Sequence, residues 1–154
     1  MKLNPVTVTH KGKNWCGIVA LSTITGNPTE HSRLVLKQAI DEVGKRGDKR
    51  QVLKGVYISE MLAALSYMCI DTRKIQVPIL NSIGIMSLAR FLHCMKPQEG
   101  KLFLIIILEH FLVTDGISIM DSSNLNGCPI WQYRRLDENV ISVHECTEFE
   151  TNDL

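Results

Sequence analysis

The chain lacks net charge. Its 154 residues carry 17 Lys and Arg against 16 Asp and Glu, a formal balance of +1. No field of one sign is there to steer it onto nucleic acid or an acidic polymer. The one basic stretch, Lys45 to Lys54, is local and reads as a solvated loop. Long apolar runs are also missing. The longest, Leu102 to Leu108, is far too short to span a bilayer, so no membrane partner is expected. Met1 to Gly12 has no apolar centre and holds Pro5, His10 and two Lys, which is no secretory signal. Cysteine pairs are absent as well. Five Cys is an odd count, and none forms a Cys-x-x-Cys pair. Free thiols in a reducing cytoplasm are therefore expected, and a metal site is not. No phosphate loop, dinucleotide fingerprint, repeat or low-complexity segment occurs, so no cofactor is expected.

What remains suits one domain over residues 1–154. Hydrophobic residues make up 45% of the chain, enough for one sizeable core. Residues 1–9 read as an N-terminal arm, with Val6 to Thr9 extended or in a short strand, and residues 147–154 as a frayed tail. Cys16 to Thr25 reads as a helix buried on nearly all sides, with Asn14 as N-cap and Gly26 as its stop. A second helix starts at Pro28-Thr29-Glu30 and ends at Gly44, its stripe being Val35, Leu36, Ala39, Ile40 and Val43. A third follows Ser59 as N-cap, with Met61, Leu62, Leu65, Met68 and Cys69 on one face. Arg73 to Ile79 can form a strand, which Pro78 restricts to an edge or an end. A fourth helix spans Ile85 to Met95. Beyond it the period changes. Leu102 to Leu108 is the run of a strand covered on both faces, and Val140 to Cys146 reads as the last strand. Helices first and strands second make an α+β fold.

Two elements carry candidate chemistry. Cys16 stands in the first turn of a helix, where unpaired N–H groups and the helix dipole favour thiolate. Gly17 after it allows close approach of a substrate to the backbone, and the Cys16 N–H is a candidate oxyanion donor. Downstream, Asp115-Gly116 between two apolar runs predicts a two-residue type I′ hairpin. That turn sets Thr114 opposite Ile117 and, four pairs out, His110 opposite Asp121. A carboxylate beside an imidazole fixes its tautomer and leaves the second nitrogen for a thiol. Taken singly, each residue has a plainer reading: Cys16 as packing, His110 as a structural histidine, Asp121-Ser122-Ser123 as a polar turn.

At these residues the chain resembles the papain-like cysteine peptidases, in their compact, unpermuted form. The segment NWCGIVALSTITG is similar to the Cys-Gly helix of bacteriocin-processing peptidase domains, and EHFLVTDGISIMDS to their His strand, turn and Asp strand. The likeness is closer still to small papain-like proteins encoded in bacteriophage genomes. It extends through Thr25-Gly26-Asn27-Pro28, Gly100 to Ile105 and Arg134-Arg135, over residues 10 to 146. The resemblance implies a papain-like fold, with N-terminal helices, the central one carrying Cys16, packed on a C-terminal antiparallel sheet. Cys16 would be the nucleophile, His110 the base and then the acid, and Asp121 the orienting group. Such enzymes place Gln about six residues before the Cys as oxyanion donor. His10 stands there, so His10 or Asn14 would donate instead. Many relatives carry Gly where Glu109 precedes His110.

The implied function is cleavage of a peptide or amide bond through a thioester, on a peptide or protein substrate, in the cytoplasm of an infected bacterium or in a virion. A weakly active or inactive papain-fold binding module, with a host or virion protein as partner, is the second reading. A thiol acyltransferase is the third. Trp15 and Trp131 read as cleft-lining or as packing, and Arg134-Arg135 as an anion grip or a solvated strand end. His31 and His144 read as surface residues, and His93 as a cation at a helix end.

Overall fold

Helix α1, Trp15–Thr25, anchors the architecture. Every residue from Gly17 to Ile24 is buried, as expected for a helix apolar around its circumference. Its C-terminus is closed twice. Gly26 takes φ of +78° and returns its N–H to Ser22 O at 2.8 Å, and the Asn4 side chain donates to Thr23 O at 3.0 Å. Residues 1–9 therefore run as an arm tied to the fold, with Val6 N–H on Leu125 O. The computed structural model describes residues 1–9, 15–45, 55–76, 86–95 and 100–149. The expected roles of His10 and Asn14 lie outside the described residues.

Around α1 pack α2 (Thr29–Lys45) and α3 (Ile58–Tyr67), and behind them stands one sheet. Its strands are β1 (Ile70–Ile75), β2 (Leu102–Ile107), β3 (His110–Thr114), β4 (Ser118–Asp121), β5 (Asn124–Pro129) and β6 (Ser142–Glu148). They run in the order β1-β6-β2-β3-β4-β5, with every described pairing antiparallel. The fold is α+β. Leu102 and Leu104 of β2 face α1 to α3, while Phe103, Ile105 and Ile107 face a second core with α4 (Leu88–Cys94), Tyr133 and Val140. This two-sided cover explains the unbroken apolar run of β2. Among the described residues no helix is long and apolar enough to cross a membrane.

Several boundaries differ from the sequence expectation, each for a tertiary reason. α3 starts at Ile58, and its first free N–H groups are served by Tyr57 and Glu60, whose carboxylate accepts Tyr57 N–H at 2.7 Å; Ser59 lies inside the first turn. Cys69 is exposed, and its left-handed φ of 58° turns the chain straight into β1, which begins at Ile70. Residues 77–79 lie outside the description. α4 starts at Leu88 because Ser87 bridges Asn139 and Met86 O accepts Val140 N–H, which keeps both residues extended. β6 continues through Thr147 and Glu148, paired with Asp71 and Ile70, so the frayed tail does not start at residue 147. β5 was not expected at all.

Candidate active site

Cys16 is the second residue of α1 and half-buried. Its thiol lines one cleft wall with the His110 ring and Phe111. His110 opens β3, directly after a turn at Leu108 and Glu109 that pairs Ile107 with His110. Glu109 holds φ of 51°, a backbone state glycine adopts without a Cβ penalty.

The hairpin that carries Asp121 is not the two-residue turn that Asp115-Gly116 predicts. Thr114 faces Ile119 and Val113 faces Met120, so four residues separate the paired ends. Asp115 is the reason. Its Oδ1 accepts the N–H groups of Ile117 and Ser118, both at 2.8 Å. Thr114 Oγ1 donates to Ser118 O at 2.7 Å and accepts Gly116 N–H at 3.0 Å. This side-chain turn needs positive φ at Gly116 alone, where type I′ needs it twice. The register shift is two residues, an even number, and only an odd shift exchanges faces. Asp121 thus stays on the His110 side, now as a diagonal neighbour. His110 Nε2 meets Asp121 Oδ2 at 2.9 Å.

Asp121 is 3% exposed and its carboxylate is saturated. Oδ2 also accepts the Tyr133 hydroxyl at 2.6 Å. Oδ1 accepts Ser123 N–H and Asn124 Nδ2, both at 2.9 Å. Burial opposes its charge, yet the donors from His110, Tyr133, Asn124 and Ser123 hold the carboxyl well below the usual range. Burial likewise pushes the His110 ring down. Hydrogen bonds to Asp121 and Cys16, and the Asp121 charge, outweigh that and the Arg135 charge, and lift the ring to about 9. At Cys16 burial raises the thiol. The His110 hydrogen bond, the Phe111 N–H, the imidazolium charge and the Gly17 N–H outweigh it and leave the thiol below its ordinary value. Both shifts favour a negative sulfur beside a positive ring. The other cysteines with shifts go the opposite way: burial raises Cys128, and pushes Cys146 up to about 12.

The sulfur and the ring line a cleft of about 580 Å³ together with Val56, Ile58, Ile106, Glu109, Phe111 and Ile141. Neither Trp15 nor Gly17 lines it, which corrects their assignment as cleft residues. Trp15 packs against the helix-side core. Gly17 is buried, and a Cβ there would meet Val56 Cγ2 at 2.9 Å, so the glycine serves helix packing rather than substrate approach. Trp131 is 75% exposed. His144 is buried, not superficial, with an Nε2 that finds no partner among the described residues; burial and the Lys74 charge keep its ring below the ordinary value. Arg135 ends no strand, and the anion it grips is a carboxylate of this chain. Its Nε donates to Glu138 Oε1 at 2.8 Å and its terminal nitrogen to Leu108 O at 3.3 Å. No cluster of three or more His, Cys, Asp or Glu able to hold a metal occurs among the described residues.

Sequence reasoning brought Cys16, His110 and Asp121 together and missed Tyr133 and Asn124. Tyr133 gives no local signal. It lies just after a short 3-10 turn, Ile130–Gln132, that folds it back over β4. Chemically, the cluster supplies a sulfur nucleophile, a ring able to hold or release a proton, and a carboxylate that fixes the ring. Compared with protein-family models, curated proteins and solved structures, the chain gives no match.

Proposed function

We propose that the chain is a papain-like cysteine hydrolase that cleaves a peptide or other amide bond through a thioester on Cys16. One observation carries this reading: the Cys16 thiol and the His110 ring line one open cleft, and the Asp121 carboxylate holds that ring at 2.9 Å. With Nε2 engaged by Asp121, Nδ1 is the nitrogen left for sulfur. The thiolate attacks the carbonyl carbon and the carbonyl π pair moves to oxygen. In this reading the Cys16 backbone N–H, at the start of α1, donates to that oxygen. On collapse the C–N bond breaks, and the leaving nitrogen takes the His110 proton as its lone pair is freed. Water then attacks the thioester carbon and gives its proton to His110. The acid departs and the sulfur returns as thiolate.

Iodoacetamide tests the reading at about pH 6.5, where only about 1% of an ordinary thiol is ionised. Cys69 and Cys94 are exposed and serve as references. Half-buried Cys16 is expected to react at least tenfold faster than either, and His110→Ala to remove the difference. Cys16 reacting no faster than Cys69 would leave a binding module without a thiol chemistry.

A further inference from the structure

The cleft has a polarity that thiol chemistry does not require. Its walls are apolar, and Tyr57 and Ile141 remain 54% and 60% exposed at its rim, surface that the fold itself leaves uncovered. Among the described residues lining it, Glu109 is the sole Asp, Glu, Lys or Arg. The left-handed turn fixes Glu109 next to His110, and among the described residues it forms no ion pair. The nearby guanidinium of Arg135 is engaged by Glu138 and by Leu108 O. The His110 ring and the Cys16 sulfur carry opposite charges that offset each other, so the Glu109 carboxylate, without an ion pair beside apolar walls, favours a cation carried next to hydrophobic surface.

We infer that the Cys16 cleft selects peptides that carry a bulky apolar side chain with a lysine or arginine close to it. This narrows the substrate class and rests on the hydrolase reading of the same cleft. Glu109 is the specificity-determining residue, and it acts through charge rather than through the reacting atoms.

Two capped tripeptides, Leu-Leu-Lys and Leu-Leu-Glu with acetylated and amidated ends, are added as competitors while iodoacetamide modifies Cys16. Cys69 in the same tube reports the free reagent. The lysine peptide is expected to protect Cys16 at roughly tenfold lower concentration than the glutamate peptide, the effect of exchanging attraction for repulsion across a few ångströms of wet cleft. Glu109→Gln keeps the Cβ and the backbone strain and should bring the two peptides to parity. Glu109→Lys should invert them, and raised salt should shrink the difference. Equal protection, protection by neither, or a lysine preference that survives Glu109→Gln overturns the inference. Loss of the hydrolase reading has a separate signature, the absence of Cys16 hyper-reactivity without peptide.

Discussion

The Tyr133 hydroxyl donates to Asp121 Oδ2 at 2.6 Å, the same oxygen that meets His110 Nε2 at 2.9 Å. One carboxylate oxygen therefore serves two donors, and the share taken by the phenol is withheld from the imidazole. Burial and the Asp121 charge raise the Tyr133 phenol far above its ordinary value, so it stays a donor throughout the working range. Removing it with Tyr133→Phe leaves more of the carboxylate's charge for His110. The ring should then hold its proton more tightly, and the alkaline limb of the proposed peptide hydrolysis should move above about 9. Loss of a buried hydrogen bond to a charged group should also cost about 1.5–3 kcal/mol in denaturant unfolding. A limb that moves down, or stays, would refute this division of Oδ2.

Asp121→Asn acts in the opposite sense. The carboxylate is the chief force raising His110 to about 9 against burial. Imidazolium is present below the ring's pKa and lost above it, so the proposed hydrolysis needs pH above the Cys16 value and below that of His110. Without the negative charge the alkaline limb should fall toward the free-imidazole value of about 6.5. The two limbs should close on each other and the maximum should drop, by about ten- to a hundredfold. Alkylation of Cys16 above pH 9 needs no proton donor and should survive. If hydrolysis kept its alkaline limb in Asp121→Asn, the carboxylate would not be what charges the ring.

The fold order and the nearness of Cys16, His110 and Asp121 were legible because they rest on local patterns. Helical stripes give way to an unbroken apolar run at Leu102, and the Asp-Gly pair marks the reversal between β3 and β4. The exact pairing of that hairpin was misread, yet the site survived the misreading, since a two-residue slip leaves His110 and Asp121 on one face. What stayed illegible depends on distant partners. β5, Asn-Leu-Asn-Gly-Cys-Pro, has no alternation to recognise and is held by backbone pairing to β4. The start of α4 is set by Asn139 and Val140, and Tyr133 reaches Asp121 only after the chain has folded back.

Asp115 offers a test of the turn separate from the chemistry. Its carboxylate holds the N–H groups of Ile117 and Ser118, and no backbone carbonyl is placed to replace it in the described contacts. Asp115→Ala should lower stability by about 1–2 kcal/mol, the worth of two partly exposed hydrogen bonds. The thiol reactivity of the folded protein should not change, because strand pairing beyond Thr114 and Ile119 fixes the face of Asp121. Thermal unfolding and the iodoacetamide rate, measured on the same sample, read the two effects independently. A lost Cys16 preference with an intact melting point would mean that the turn, not the strands, sets the site.

Gly17 links packing to the nucleophile. Alanine there improves intrinsic helix propensity by about 1 kcal/mol, but its Cβ would stand 2.9 Å from Val56 Cγ2 and 3.3 Å from Met61 Cε. The methionine end can swing away, whereas a β-branched valine has little freedom to turn. Overpacking of this kind costs about 1–3 kcal/mol, so Gly17→Ala should be destabilising on balance. It should also push the start of α1 off β3, which separates the Cys16 thiol from the His110 ring and slows alkylation. Val56→Ala removes the obstructing methyl. In the double variant both the stability and the alkylation rate should exceed what the two single changes predict when added, with a coupling of about 1 kcal/mol or more. Strict additivity would show that the small residue beside Cys16 answers to something other than Val56.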